Sequence, residues 1–526
     1  MAENKTVNVI GAGLAGLSAA ITLAEAGVRC NLISSLPSER AQSVLAEGGI
    51  NAALDTMGEG DSTEEHFADT MKGGCFIESE SAVRALTGNA PDVVRKLVRT
   101  GVPFMSENGR LILRNFGGQK KKRTAYAKSS TGKMIMTALI DAARRFEAEG
   151  IIIRLPHHEL VGIDVKDGSL NSVTVKDGFT GKAYELTGST ILCTGGLNGF
   201  FDGLTTGTTQ NTGNAAALAF AAGAEFSNLE FIQYHPTTVA ISGKRMLISE
   251  AARGEGGRLY IMKNGKPWYF MEEKYPALGN LMPRDVVSRE MTFVKERDDC
   301  EGDIFLDMTS LDGAVWDGKL SDMKSEITSY LHIDPRVTPI PVSPGIHFFM
   351  GGIRADGEHR TNIKGLFAAG EAACRYHGAN RLGGNSMLAA VYGGSVAARS
   401  AAEEAENVEI KETEGNYPDA SPIIKTRLCG ILSSALGIVR TPEKLAFAKE
   451  ATAQLLTECG NGIDRMRVRL GAAMIASAEA RRESRGAHYR TDFPDADDGY
   501  KKLTSAKYSG GRIEIRFVPV EREAAQ

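Results

Sequence analysis

The sequence predicts an α/β fold whose central sheet begins at the N-terminus and is completed late in the chain. Three observations predict it. Residues 6–10, TVNVI, form a β-rich run that leads into GAGLAG at 11–16, and LSAAITLAEAG follows with apolar residues at helical spacing. STILCTGG at 189–196 is a short apolar strand ending in paired glycines. GLFAAGEA at 365–372 is another, ending at Gly370-Glu371. Long insertions separate the three, so they describe one discontinuous, Rossmann-like sheet.

The first element carries the most chemistry. A strand, then G-x-G-x-x-G, then a helix is the arrangement that receives a dinucleotide pyrophosphate on a helix N-terminus. Gly11 permits the tight turn, Gly13 lets backbone amides approach the phosphates, and Gly16 lets helix and strand pack closely. Ala12 and Ala15 complete the cofactor loop. The second strand, VRCNLISS, would ordinarily end in Asp or Glu to hold a ribose hydroxyl. Ser34 and Ser35 follow Ile33 instead, so a hydroxyl replaces the carboxylate. That counts against NAD and leaves FAD open. A sheet finished late also suits a flavin domain better than a simple NAD dehydrogenase. In SERAQSVLAEGG at 38–49, Gly48 and Gly49 let backbone pass beside something flat, and Glu47 lies in the same segment.

Composition sets the limits. A chain of 526 residues implies two or three domains. With 61 basic and 65 acidic residues and a net charge of −4, nothing favours nucleic acid or an anionic membrane surface. The one basic run, QKKKR at 119–123, reads as a loop. No stretch approaches 18 consecutive apolar residues, so no membrane span is expected. MAENKT enters an apolar strand at once, which leaves no room for a signal peptide and points to the cytoplasm. Seven scattered cysteines without a C-x-x-C imply reduced, mostly buried thiols, with no iron–sulfur cluster and no metal site in this chain.

Several longer motifs remain: SVLAEGGINAAL, RNFGGQ, RTAYA, STGK, FIQYHPT at 231–237, LISEAARGEGG at 247–257, MPRDVVSR at 282–289, HFFMGGI at 347–353 and HGANRLGGNS at 377–386. Taken singly, their polar residues read blandly. A histidine before proline packs in a turn, and an E-x-x-R pair stabilises a helix. His235, Glu250, Arg253, Arg284, His347 and Arg381 all fall in glycine-rich or loop-like segments, outside helical faces. Their conjunction is another matter: arginines and histidines converging on a flavin are costly unless an anionic substrate neutralises them.

Together these motifs resemble the flavoprotein subunits of succinate dehydrogenases and fumarate reductases, a superfamily that includes L-aspartate oxidase. The resemblance runs from residue 6 to ARRESRGAHYRTDFPDADD at 480–498. It implies an FAD-binding domain over 1–230 and 346–400, an inserted α+β capping domain over 231–345, and a C-terminal helical domain over 401–526. The shift in composition over 258–345, which holds both tryptophans, agrees with the insert. After residue 400, AEEAEN, PEKLAFAKEATAQLLTE and RMRVRLGAAMIASAEARRES read as helices.

The resemblance also implies roles. His347 and Arg381 clamp one carboxylate of a C4 dicarboxylate, and His235 and Ser249 hold the other. Phe116 lies against the substrate. Arg284 passes a proton to carbon and is reloaded through Glu250 and Arg253. Ser34, Ser43, Glu47, Gly48, Gly49, Thr194, Gly195, Gly196, Glu371, Asn385 and Ser386 join the loop glycines at FAD.

Four departures from the family pattern narrow the reading. Relatives with covalent flavin read S-H-T-V-A-A-E-G-G where this chain reads A-Q-S-V-L-A-E-G-G, so Gln42 takes the place of the tethering histidine. FAD is therefore expected to be non-covalent, with a lower potential that favours reduction of fumarate. Phe116 and Met350 stand where aspartate oxidases carry an acidic residue and a cysteine. Phe349 replaces a threonine, which leaves a related enoate open as substrate. Asn214 stands where the family usually has aspartate, and no functional account of that follows from sequence. Aspartate oxidase, a reductase of another unsaturated carboxylate, a succinate dehydrogenase subunit and an electron carrier without a substrate remain the alternatives. Electrons are expected from outside, through an iron–sulfur subunit, another redox protein or free reduced flavin. Such partners would place the protein peripherally on the inner face of a membrane.

Overall fold

The computed structural model describes residues 5–128 and 130–521, so the start of MAENKT lies outside the described residues. The three glycine-ended runs are strands of one parallel sheet. Leu366–Ala368 pairs Thr190–Leu192, which pairs Lys5–Ile10; then follow Arg29–Ser34 and Ile152–Pro156. Val7, Val9, Cys30, Ile191 and Phe367 are fully buried in it, as expected of a sheet covered on both faces. Helix Leu14–Glu25 starts directly after the first strand. A Cβ at Gly16 would sit 1.7 Å from Gly11 O, and Gly11 itself holds φ +109. Only glycine serves at these two positions.

A six-stranded antiparallel sheet interrupts this layer. Its order is Lys244–Leu247, Ile232–Ile241, Ile340–Phe349, Cys300–Asp307, Arg258–Lys263 and Lys266–Trp268. It packs on helix Arg284–Lys295 around a core of its own that holds Phe270, Met271 and Trp316. The strand pair Ile232–Ile241 and Ile340–Phe349 leads back to the parallel sheet, and it places residues from both units around one cleft.

The C-terminal region packs helices Pro422–Ala435, Pro442–Thr457 and Gly462–Ala480 together. Two differences from expectation appear here. AEEAEN is not helical throughout: the preceding helix ends at Glu403, and Glu406–Asn407 pairs antiparallel with Lys5 and Thr6 at the sheet edge. The chain also ends in a hairpin, Lys502–Ser509 with Arg512–Pro519, whose first strand joins Phe226–Ser227. Alternating burial along Arg512–Pro519 explains the strand, a period of two within a region read for its helical period.

QKKKR is a loop, but its charge is spent internally. Arg123 is fully buried between Asp61 at 2.9 Å and Asp69 at 3.0 Å, and Lys122 pairs with Glu59. All seven cysteines are free thiols, four of them buried. Among the described residues no group of His, Cys, Asp or Glu is placed to hold a metal, and no helix is long and apolar enough to cross a membrane.

Candidate active site

One cleft runs from the carboxyl ends of the parallel strands to the underside of the inserted sheet. Gly11, Ala12, Gly13, Ala15, Ser34, Ser43, Glu47, Gly48, Gly49, Thr194, Gly195, Gly196, Glu371 and Ser386 line its longer arm. Ser43 closes the phosphate loop, its Oγ accepting from Leu14 N–H at 3.1 Å. The first turn of helix Leu14–Glu25 carries no acidic side chain, so its positive end is free for an anion. Gly48 lies against the Phe116 ring, where a Cβ would come within 3.1 Å. Arg114 donates to Gly48 O and lies over the Tyr126 ring. Burial holds the Glu371 carboxyl up at about 7, against the opposing Phe349 N–H and Arg381. Burial likewise raises Glu47 well above the usual carboxyl range; Glu326 of the inserted unit adds to the rise and Arg114 opposes it. A pyrophosphate cradle and a narrow passage between glycines fit the phosphates and flat ring of FAD.

Two expected positions lie outside the lining. Asn385 departs from expectation: its side chain is fully buried, with Oδ1 accepting from Asn51 Nδ2 and Nδ2 donating to Thr70 Oγ1, and His66 also contacts Oδ1. It ties the start of helix Asn385–Glu403 to Asn51, His66 and Thr70 and does not line the cleft. Gly16 acts through packing alone.

The shorter arm is cationic. His235 on strand Ile232–Ile241 and His347 on Ile340–Phe349 hold their rings 5.2 Å apart. Arg284 opens helix Arg284–Lys295, Arg253 lies in the single turn Ala251–Gly254, and Glu250 caps that turn. The expectation that these side chains sit outside helical faces is corrected for Arg253 and Arg284, while His235 and His347 lie on strands and not in loops. A register shift between His235 and Thr238, where Pro236 interrupts pairing, lets a histidine on a strand face the cleft.

Arg284 donates through Nε (3.0 Å) and Nη2 (2.7 Å) to Glu250 Oε2. Glu250 Oε1 accepts from Arg253 Nη2 at 3.3 Å, and Arg253 Nη1 donates to Asn280 O. Arg253 therefore stands behind Glu250, outside the cleft. Burial alone would raise the Glu250 carboxyl, but Arg284 and Arg253 outweigh it and leave the group below its ordinary range. Burial pushes both histidines well below their ordinary value, and Arg284 adds to this, so both rings are neutral. Burial and neighbouring Arg284 also bring Arg381 down to about 9. Arg381 lies over the Phe348 ring, and its buried Nε has no hydrogen-bond partner. Ser249 and Phe116 line the same arm. Three buried arginines thus face Glu250 and a Glu371 carboxyl that burial holds up at about 7, an imbalance that a bound anion relieves.

Two neighbours escaped the sequence reading. Thr206 Oγ1 meets His347 Nδ1 at 2.8 Å. Gln233 accepts from Arg284 Nη1 at 3.2 Å and donates to Asn380 Oδ1 and Arg381 O, tying both arginines to one side chain. A signal for Gln233 existed, since it precedes His235 by two residues on the same strand. Thr206 had none. Phe349, expected to reshape the pocket, instead packs on Phe201 at 5.7 Å in the core, and Met350 is buried beside Ile77 and Phe231.

A dinucleotide loop, a passage for a flat ring and a cationic pocket define a flavin-dependent oxidoreductase. Comparison with known proteins gives the family. Residues 6–387 match the FAD binding domain family, and 463–526 match the fumarate reductase flavoprotein C-terminal family. The succinate dehydrogenase flavoprotein subunit of Bacillus subtilis is 37% identical, covering 96% of this chain and 94% of that one. L-aspartate oxidase of Streptomyces coelicolor is 32% identical, covering 94% and 89%. A variant of E. coli quinol fumarate reductase FrdA superposes with TM-score 0.88 at 28% identity, covering 99% and 97%. The chain belongs to the succinate dehydrogenase/fumarate reductase flavoprotein family. It is an FAD-dependent oxidoreductase acting on CH–CH bonds of dicarboxylates.

Proposed function

We propose that this protein reduces fumarate, or a closely related C4 enoate, to succinate, using FAD held without a covalent bond. The observation that carries this reading is the buried Arg253–Glu250–Arg284 chain ending beside two neutral histidines and Arg381. Bound FAD supplies the hydride, from its N5.

His347 and Arg381 hold one carboxylate of the substrate, and His235 with Ser249 holds the other. The planar guanidinium suits the first task because it binds carboxylate through two parallel bonds. Polarising that carboxylate makes the far alkene carbon electrophilic. Arg284 gives a proton to the neighbouring carbon. Glu250, held ionised between two cations, takes a proton from Arg253 and returns it to Arg284. Gln233 keeps Arg284 and Arg381 in register.

Phe116 gives the pocket an apolar wall where an amino acid oxidase needs an acid for the substrate ammonium, which favours fumarate over aspartate. The withdrawal of Phe349 into the core leaves the room for a dicarboxylate unchanged. Gln42 lines the cofactor arm, its Oε1 accepting from Thr208 N–H at 2.5 Å. An amide has no ring nitrogen to form a histidyl–flavin bond, and loss of that bond favours the reductive direction. Electrons come from an external redox partner, an iron–sulfur subunit or another carrier.

The test is Arg284→Ala under anaerobic conditions. FAD content and dicarboxylate affinity should persist while reduction by viologen falls by at least 10²-fold. Normal turnover in that variant would end the proposal.

A further inference from the structure

The adenosine end of the cofactor arm lacks the carboxylate that a Rossmann-type sheet usually sets against the ribose. Ser34 ends the strand where that acid would stand, and its hydroxyl donates to Leu36 O at 2.6 Å. Its proton is spent locally. Among the described residues four carboxylates line the cleft: Glu47, Glu159, Glu250 and Glu371. Glu250 is locked between arginines. Glu47 stands immediately before the paired glycines Gly48 and Gly49, and Glu371 accepts from Phe349 N–H at 3.0 Å beside the substrate arm. Glu159 remains for the adenosine end.

Its position fits. Ser34 pairs in register with Pro156, the last residue of the neighbouring strand. The chain then turns through His157, at φ +62, into strand His158–Lys166. Glu159 therefore stands just past the carboxyl edge beside Ser34. Its Oε1 accepts from Asn214 Nδ2 at 2.9 Å, and among the described residues Oε2 has no protein partner. Asn214 Oδ1 in turn accepts from Arg467 Nη1 at 2.8 Å. Arg467, buried on helix Gly462–Ala480, also donates to Thr212 O and Gly199 O. Both ends of the Asn214 amide are thereby committed. An aspartate at 214 would set a second carboxylate against Glu159, and each would oppose ionisation of the other.

We propose that Glu159 is the acceptor for the adenosine-ribose hydroxyls of FAD, with Asn214 and Arg467 as positioning residues that aim it. This rests on FAD binding and not on the choice of substrate, so failure of the fumarate reading leaves it standing.

The test reads FAD release from the holoenzyme on dilution, by recovery of flavin fluorescence. A charge-assisted hydrogen bond corresponds to about 10- to 100-fold in Kd. Glu159→Gln should weaken FAD by that factor, and Asn214→Asp alone should also weaken it. The wild type should bind FAD lacking the ribose 2′-hydroxyl more weakly than FAD, and Glu159→Gln should not distinguish the two. An unchanged Kd for Glu159→Gln, or equal discrimination by both proteins, would overturn the assignment.

Discussion

Gly117 lies on the loop RNFGGQ, pressed against the catalytic chain from the flavin-binding side. A Cβ there would stand 2.7 Å from Glu250 Oε1 and 3.3 Å from Leu281 O. Its φ is not positive, so Gly117→Ala brings crowding without backbone strain. Relief to between 3.0 and 3.4 Å requires the Glu250 carboxylate to retreat by about 0.3–0.7 Å. Glu250 cannot retreat alone, because Arg284 holds Oε2 at 2.7 and 3.0 Å while Arg253 reaches Oε1 at only 3.3 Å. A 1 Å misplacement in a catalytic array costs on the order of 10²-fold, so this retreat should lower kcat by roughly 4- to 25-fold. Gly117 is not among the cleft-lining residues, so FAD content should match the wild type. The assay is viologen-coupled fumarate reduction, with kcat, KM and the solvent isotope effect measured together. The loss should fall on kcat, and the isotope effect should rise as reloading of Arg284 slows. Wild-type kcat with full flavin would refute the claim that Glu250 works from a fixed position against the flavin-binding unit.

Three further outcomes follow from the same geometry. Acid precipitation of the purified protein should release all of its flavin, since Gln42 offers no nucleophilic ring nitrogen; flavin retained in the pellet would contradict this. Gln233→Ala should lower kcat by about tenfold or more and also raise KM, because it frees Arg284 and the Arg381 loop together; a change in KM alone would show that only the clamp depends on it. Stability should fall as pH drops below about 6.5. Burial holds His66 and His377 down at about 3 and His359 at about 4, and depresses His235, His347 and His488 as well. The unfolded chain binds those protons near pH 6.5 and the folded one does not, so their contribution is present above that pH and lost toward the folded values. The raised carboxyls Glu47, Asp61, Asp285, Glu326 and Glu371 act in the opposite sense, but they are fewer than the six histidines. Urea midpoints at pH 5.0 and 7.5 check this, and a higher midpoint at pH 5.0 would contradict it.

The three glycine-ended strands were legible because each pairs a local β signal with a turn that only glycine permits. Their assembly into one sheet followed from the requirement to bury both faces. The terminal hairpin was not legible, since its alternation is weak and its partner, Phe226–Ser227, is distant in sequence. Polar residues near the cleft were legible as types: arginine and histidine in glycine-rich motifs announce an anion. Their settings were not. A strand bulge aims His235 through pairing with residues about a hundred positions away, and a helix start aims Arg284 onto Glu250, 34 positions back. Asn385 shows the reverse case, a motif residue whose side chain is taken up by Asn51, His66 and Thr70, partners more than 300 positions away. Glu159 carried no local signal, because its meaning lies in its bond to Asn214, 55 positions further along the chain.

The central claim is tested most directly by comparing directions and substrates in one anaerobic experiment. The purified holoenzyme is given reduced viologen with fumarate, an oxidised dye with succinate, and, separately, L-aspartate with oxygen. The account predicts fumarate reduction faster than succinate oxidation and no hydrogen peroxide from aspartate. Peroxide formed from aspartate, or succinate oxidation as the faster reaction, would contradict it.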